Sequence, residues 1–277
     1  MKIALLNLMP NKEETELQWL RALANAPEPI EIDWIKTHHK SKNPSPKHLE
    51  TKYLFFSDIK TRFYDAMIIT GAPVEKLPFE EVDYWEEFKE ILDFARTNVI
   101  STMFVCWAAP AALFHYYNIP KFVTEEKISG IYENEIDTNS PLMHEVGNLF
   151  WGPQSRYFYT KEEDVNAVST LKIIAKCAAS GIHIIASNDY REIYVNGHNE
   201  YDDDSIDKEY RRDIAKEISV KMPENYYVDD DMDKGITGQW RGQSDLFYGN
   251  WLRLVAKTHE SLLLLFFLTY FIVIVRT

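Results

Sequence analysis

The chain has 277 residues, 45% of them apolar and 14% aromatic, enough to pack one large domain. A formal net charge of −13 leaves no basic face for a phosphate backbone, which excludes a nucleic-acid partner from the expectations. Its 2 cysteines lie far apart and suit a reducing compartment rather than a disulfide framework, and its 8 histidines show no zinc-ligand spacing, so no metal is expected.

Lys2–Met9 reads as a strand, not a signal peptide: its apolar run is short and passes into Pro10 and the polar Asn11-Lys12-Glu13-Glu14. Glu13–Ala24 is expected as an amphipathic helix with Leu17, Leu20, Leu23 and Ala24 on its apolar side. Ile30–Ile35 alternates as a strand does, and the polar stretch Thr37–Lys47, with Pro44 and Pro46, reads as a loop. Ala66–Thr70 is a short buried strand closed by Gly71-Ala72-Pro73, and Tyr84–Thr97 a helix with Trp85, Phe88, Ile91 and Leu92 as its stripe. After a strand and helix around Cys106 the pattern loosens. Strands are expected at Leu171–Ala175, Ile182–Ser187 and Glu192–Asn196, and a helix over Asp207–Ser219.

Strands alternating with helices predict an α/β fold: a mostly parallel open sheet with helices on both faces. The acidic runs Asp202–Asp204 and Asp229–Asp233 lack the spaced ligands and turn glycine of a calcium loop and read as solvated loops. Without repeats or linkers, residues 1–254 are expected to form a single domain. Residues 255–277 stand apart, because Leu262–Val275 is nearly all apolar yet shorter than the ~18–20 residues that span a bilayer. It is a membrane tail, a buried terminal element or a segment foreign to the fold. The last is preferred, because the chain before it reads as an ordinary soluble domain that ends near Leu254.

The chemistry concentrates at Ser101-Thr-Met-Phe-Val-Cys106-Trp-Ala-Ala-Pro-Ala-Ala-Leu113, where a strand-forming run stops at a cysteine and turns at once into a helix-favouring run. Such a turn is a nucleophile elbow. It pushes the side chain out of the sheet edge, and the helix N-terminus behind it favours thiolate. Pro110 falls in the first helical turn, where its missing N–H is tolerated. A cysteine in an apolar strand is usually a small core hydrophobe. Cys177 is read that way; Cys106 is not, because it closes its strand. Ile193-Tyr-Val-Asn-Gly197-His198-Asn-Glu200 supplies a base, since positions two apart in extended chain share a side and Glu200 can hold the His198 imidazole. Cys106, His198 and Glu200 therefore read as a catalytic set. Ligands gather outside the carboxyl ends of strands in open α/β sheets. The backbone N–H groups of Ala72 and Trp107 are accordingly candidate oxyanion donors, contributing roughly 3–4 kcal/mol each.

Leu5-Leu-Asn-Leu-Met-Pro10-Asn-Lys-Glu-Glu-Thr-Glu16, Thr70-Gly-Ala-Pro73, Phe79-Glu-Glu-Val-Asp-Tyr-Trp85, Ser101-Thr-Met-Phe-Val-Cys-Trp107 and Gly197-His-Asn-Glu-Tyr201 closely resemble the cysteine-dependent homoserine O-succinyltransferase/O-acetyltransferase family, in order, from Lys2 to about Leu254. The resemblance implies a flavodoxin-like fold of the class I glutamine amidotransferase type. It also implies an acyl-enzyme on Cys106 and transfer of the acyl group from coenzyme A to an amino-acid hydroxyl, with His198 as general base and Glu200 orienting it. Lys127, Ser155 and Arg212 match positions that hold the amino-acid substrate. In this family the residue two beyond the Gly-Ala-Pro turn is glycine in succinyl enzymes and glutamate in acetyl enzymes. Glu75 stands there, which implies acetyl-CoA as co-substrate, with no other cofactor.

Four departures accompany the match. The chain starts at its first strand, without the N-terminal stretch usual in the family. Gln154-Ser-Arg156 replaces His-Ser-Arg, Pro110 replaces a glutamine, and Trp240-Arg-Gly-Gln-Ser-Asp245 replaces Trp-Arg-Ser-His-Gly-Asn. These changes are expected to alter the lining of the acceptor pocket, which keeps L-serine beside L-homoserine as acceptor. The expected role is a cytoplasmic O-acetyltransferase of methionine biosynthesis, acting on small molecules away from membranes, with a homodimer admitted. The alternatives are a serine O-acetyltransferase of cysteine biosynthesis, a glutamine hydrolase on the same fold, which the bulk of Trp107 argues against, and an inactive binding protein.

Overall fold

The computed structural model describes residues 1–38 and 51–275, with side chains up to Leu265. Most of the loop expected at Thr37–Lys47 lies outside the described residues. The described strands are β1 (Lys2–Leu6), β2 (Glu31–Lys36), β3 (Leu54–Phe55), β4 (Tyr64–Ile69), β5 (Val99–Val105), β6 (Phe122–Ile136), β7 (Leu149–Tyr159), β8 (Leu171–Cys177), β9 (Gly181–Ser187) and β10 (Glu192–Val195). They form one mixed sheet in the order β3-β2-β1-β4-β5-β10-β9-β8-β6-β7. From β3 to β10 neighbours run parallel; from β10 to β7 they run antiparallel.

The helices are α1 (Lys12–Ala22), α2 (Trp85–Asn98), α3 (Ala108–Tyr117), α4 (Glu162–Asn166), α5 (Ser205–Ala215) and α6 (Arg241–Val275). Alternation along the parallel strands feeds two cores, as expected of strands buried on both faces. Ala4, Met67 and Phe104 pack with Trp85, Phe88 and Ile91 of α2 and with Ala111 of α3 on one face. Ile3, Ile68 and Met103 pack with Trp19 of α1 and with Phe247 and Trp251 of α6 on the other.

Two expectations need correction. Only part of the expected stripe of α1 faces the core: Leu23, at the C-cap, is buried, but Leu17 is 64% and Leu20 48% exposed and Ala24 is exposed, while Thr15, Glu16, Gln18 and Trp19 are buried. Polar bonds hold that face, from Tyr53 Oη to Glu16 at 2.8 Å and from Gln18 to Ser205 Oγ at 3.0 Å. The loosened region before residue 160 is in fact the long antiparallel pair β6–β7, which extends the parallel half of the sheet. At the other end of the chain α6 runs unbroken through Leu254. Val255 is buried and His259 pairs with Asp65 of β4, whereas Leu262–Leu265 are exposed. Among the described residues no helix is long and apolar enough to cross a membrane.

Candidate active site

Because β4, β5 and β10 are parallel neighbours, the turns that follow them emerge at one edge of the sheet. The turn after β5 carries Cys106, with φ +51°, a left-handed backbone that a side chain rarely adopts. Its N–H donates to Val195 O of β10 (2.7 Å), its carbonyl accepts from Ala109 N–H (3.0 Å), and α3 begins two residues later. The elbow expected from the sequence is therefore present. Its electrostatics differ from expectation. Burial pushes the Cys106 thiol up to about 11; His198 opposes that rise and Glu75 adds to it. Burial of the sulfur outweighs the dipole of α3 in setting that direction.

His198 follows β10 and is buried, with Nδ1 on Glu200 Oε1 at 2.7 Å. That bond assigns the Nδ1 proton and leaves Nε2 for the sulfur, which lies within hydrogen-bonding reach. Burial disfavours the imidazolium, but the sulfur and the Glu200 carboxylate outweigh burial and hold His198 well above its usual range. Gly71, just past β4, closes the other side. A Cβ there would lie 2.9 Å from Cys106 Cβ and 3.5 Å from both Cys106 Sγ and His198 Cε1. Gly71→Ala should therefore displace the elbow, lowering kcat about 10- to 100-fold while costing about 1–3 kcal/mol of stability. Steady-state rates beside a denaturant melt check this; a wild-type kcat would show that the turn absorbs the methyl group.

The Cys106 thiol donates to Glu75 Oε1 at 3.4 Å. Burial holds the Glu75 carboxyl above the usual range, with the Cys106 hydrogen bond and the charges of His198 and Lys127 opposing. Lys121 clamps this loop, its ammonium donating to the carbonyls of Glu75 (2.6 Å) and Leu77 (2.5 Å), and burial lowers its pKa to about 8. Trp107 follows Cys106 in the chain and Ala72 follows Gly71, whose Cα packs against the Cys106 side chain; neither backbone N–H donates to another protein group among the described residues.

A second cluster adjoins the first. Lys127 of β6 donates to Glu209 (2.9 Å) and Asp213 (3.1 Å) of α5, and Ser155 of β7 donates to the same Glu209 oxygen. Tyr201 donates to the other Glu209 oxygen at 2.7 Å and stacks on His198, ring centroids 4.1 Å apart at 15°. Burial raises the Glu209 pKa, but Lys127 and Ser155 more than reverse this and bring it down to about 2. Arg212 is 52% exposed, with Nε and Nη2 on Asp213 at 2.9 and 2.8 Å. It opens with Tyr201, Glu209 and the Met9–Asn11 turn onto a cleft of about 590 Å³. Among the described residues no three His, Cys, Asp or Glu side chains are placed to share a metal ion.

All the expected site residues thus fall at one edge of the sheet, in two abutting groups with Arg212 at the rim. Glu209 and Lys121 were missed. Glu209 lies one helical turn before Arg212, a spacing that could have singled it out; nothing near Lys121 marks it. One departure from the family pattern does not do what was expected. Gln154 is fully buried and does not line the cleft; it bonds Arg156 and His183.

Residues 1–261 match the family profile described as homoserine O-succinyltransferase. The chain belongs to the homoserine O-succinyltransferase family. Relatives similar to this family member include proteins named homoserine O-acetyltransferase from Thermotoga petrophila, 44% identical over 253 residues, from Clostridium botulinum, 42% over 254, and from Bacteroides fragilis, 42% over 254. Each alignment covers 91% of this chain and 83% of the relative. Among solved structures, a glutamine amidotransferase from Thermotoga maritima superposes with a TM-score of 0.59 at 9% identity, covering 92% of this chain and 98% of that one. Another from Methylobacillus flagellatus gives 0.60 at 10% identity, covering 92% and 94%. These likenesses establish the flavodoxin-like, amidotransferase-type fold, and family membership makes the chain an acyltransferase.

Proposed function

We propose that this enzyme transfers an acetyl group from acetyl-CoA, through a thioester on Cys106, to the side-chain hydroxyl of L-homoserine, as a cytoplasmic step of methionine biosynthesis with no further cofactor. The observation that carries the reading is the strained, buried Cys106 within reach of a His198 whose Nδ1 is bonded to Glu200. The names of the similar proteins support homoserine as acceptor and acetyl as the group moved.

In the first half-reaction His198 Nε2 takes the thiol proton and the sulfur attacks the thioester carbonyl. The oxyanion sits against the N–H groups of Ala72 and Trp107. Collapse breaks the bond to coenzyme A, whose sulfur leaves with the proton from His198. In the second, His198 takes the acceptor hydroxyl proton, the oxygen attacks the acyl-enzyme, and Cys106 recovers its proton as it leaves. Lys127, Ser155 and Arg212 hold the acceptor, with Arg212 suited to its carboxylate.

Glu75 supports acetyl over succinyl, because a dicarboxylate acyl chain would bring a second carboxylate beside the one already touching the sulfur. Glu75→Gly should move the succinyl-to-acetyl ratio of kcat/KM by about tenfold or more toward succinyl. Intact mass after incubation with either thioester, followed by a chase with L-homoserine or L-serine, tests the whole reading. A 106-dependent acetyl adduct discharged by homoserine is expected. Discharge by serine alone would move the acceptor one methylene down, a difference of only ~1–3 kcal/mol in a pocket. No adduct from either thioester would sink the acyl-enzyme.

A further inference from the structure

Beneath the His198–Glu200 turn runs a buried polar chain that none of these steps uses. Arg156, Gln154 and His183 are fully buried and Asn199 nearly so. Arg156 Nε–H donates to Gln154 Oε1 (2.8 Å), and the Gln154 amide N–H donates to His183 Nδ1. His183 Nε2–H donates to Asn199 Oδ1 (2.7 Å), Asn199 Nδ2–H to Ser244 Oγ (2.9 Å), and Ser244 O–H to Trp240 O (3.1 Å).

Every bond points the same way, and the direction follows from its first member. A guanidinium only donates, so Gln154 must give Arg156 its oxygen and His183 its N–H. A neutral His183 that accepts at Nδ1 must carry its proton on Nε2, which sends the next bond to Asn199. Bonds aligned head to tail polarise one another in a low-dielectric interior. Burial keeps the imidazole neutral, lowering His183 to about 3 despite the Asn199 hydrogen bond. Arg156 has no carboxylate partner among the described residues; its other N–H groups go to the carbonyls of Phe158 and Ser180. Room for the ring is made by two glycines: a Cβ at Gly152 would lie 2.6 Å from His183 Nε2, and one at Gly197 2.4 Å from Cε1.

We propose that Arg156, Gln154 and His183 are positioning residues for the catalytic turn. The fixed charge orders the chain, and the chain holds Asn199, the residue between His198 and Glu200, so that imidazole and carboxylate stay in register with Cys106. The proposal rests on His198 and Glu200 handling the protons.

Gln154→Met keeps the shape and removes both polar contacts. The expected result is a kcat about 10- to 100-fold lower with little change in the KM for acetyl-CoA. Gln154→His, whose imidazole accepts at one nitrogen and donates at the other, should restore most of the rate. Where Gln154→Met leaves Arg156 too exposed to strain for the protein to fold, Ser244→Ala removes the far acceptor with little change of volume and should lower kcat in the same direction.

Alkylation of Cys106 by iodoacetamide reads the same turn without substrate. Cys106 faces His198 and Glu75, so a displaced His198 should raise the midpoint of its pH profile, by about half a unit. A wild-type protein that takes no acetyl group, while Gln154→Met still moves the alkylation midpoint, would refute the acetyl donor and uphold the relay. Wild-type kcat together with an unmoved midpoint in folded Gln154→Met or Ser244→Ala overturns the relay, as does a His183 that carries its proton on Nδ1 in 15N spectra.

Discussion

Cys106→Ala is expected to lower acyl transfer by about 10,000-fold or more, because removing a covalent nucleophile removes the two-step path itself. What persists is the background from substrate positioning and the oxyanion donors. Cys106→Ser should recover little. Its hydroxyl is a weaker nucleophile, and the buried elbow that already holds a thiol near 11 disfavours an alkoxide more strongly. The comparison is made by initial rates together with intact mass after acetyl-CoA. A stable acetyl adduct in Cys106→Ala, or a rate within tenfold of wild type, would end the assignment of Cys106 as acyl carrier.

Glu200→Gln is expected to cost about 100- to 10,000-fold in kcat. The amide can still touch His198 Nδ1, but it no longer stabilises the imidazolium formed when either half-reaction moves a proton, and its N–H2 competes for the wrong tautomer. The variant also shifts the pH profile in a fixed direction. In the wild type, Cys106 and Glu200 together hold His198 above the usual imidazole range, so the acidic limb of kcat/KM should lie above about pH 6.5. With the carboxylate neutralised, the folded pKa falls and the limb moves to lower pH even as the plateau drops. The limb belongs to the Cys106–His198 pair rather than to either residue alone. A limb that stays in place in Glu200→Gln would remove Glu200 from the proton chemistry.

Legibility in the sequence tracked how local each signal was. The elbow was readable because a strand, a cysteine and a helix follow without a gap, and the His198–Glu200 pair because two residues of extended chain place both groups on one side. The α2 stripe was readable for the same reason. Leu17 and Leu20 of α1 were misread because they obey the helical period, while Glu16 and Gln18 share the buried face with Trp19 and find their partners, Tyr53 and Ser205, far along the chain. The β6–β7 pair escaped because β6 alternates only weakly, with Glu125, Glu126 and Lys127 at its exposed end. Tyr201 sat in a quoted motif, but its stacking on His198 and its bond to Glu209 depend on α5 folding back over the turn. Gln154 looked like a change to the pocket because its neighbour Ser155 is in the site. On a strand, adjacent residues face opposite ways.

The sheet's change of direction at β10 divides the labour at its edge. Cys106, His198 and Glu200 hang from turns of the parallel half, while Lys127 and Ser155 arrive on the antiparallel arm and meet them through Glu209 and Tyr201. On the function proposed above, substitutions on the antiparallel arm would exchange one hydroxylated amino acid for another while leaving the turn that bears the cysteine as it is.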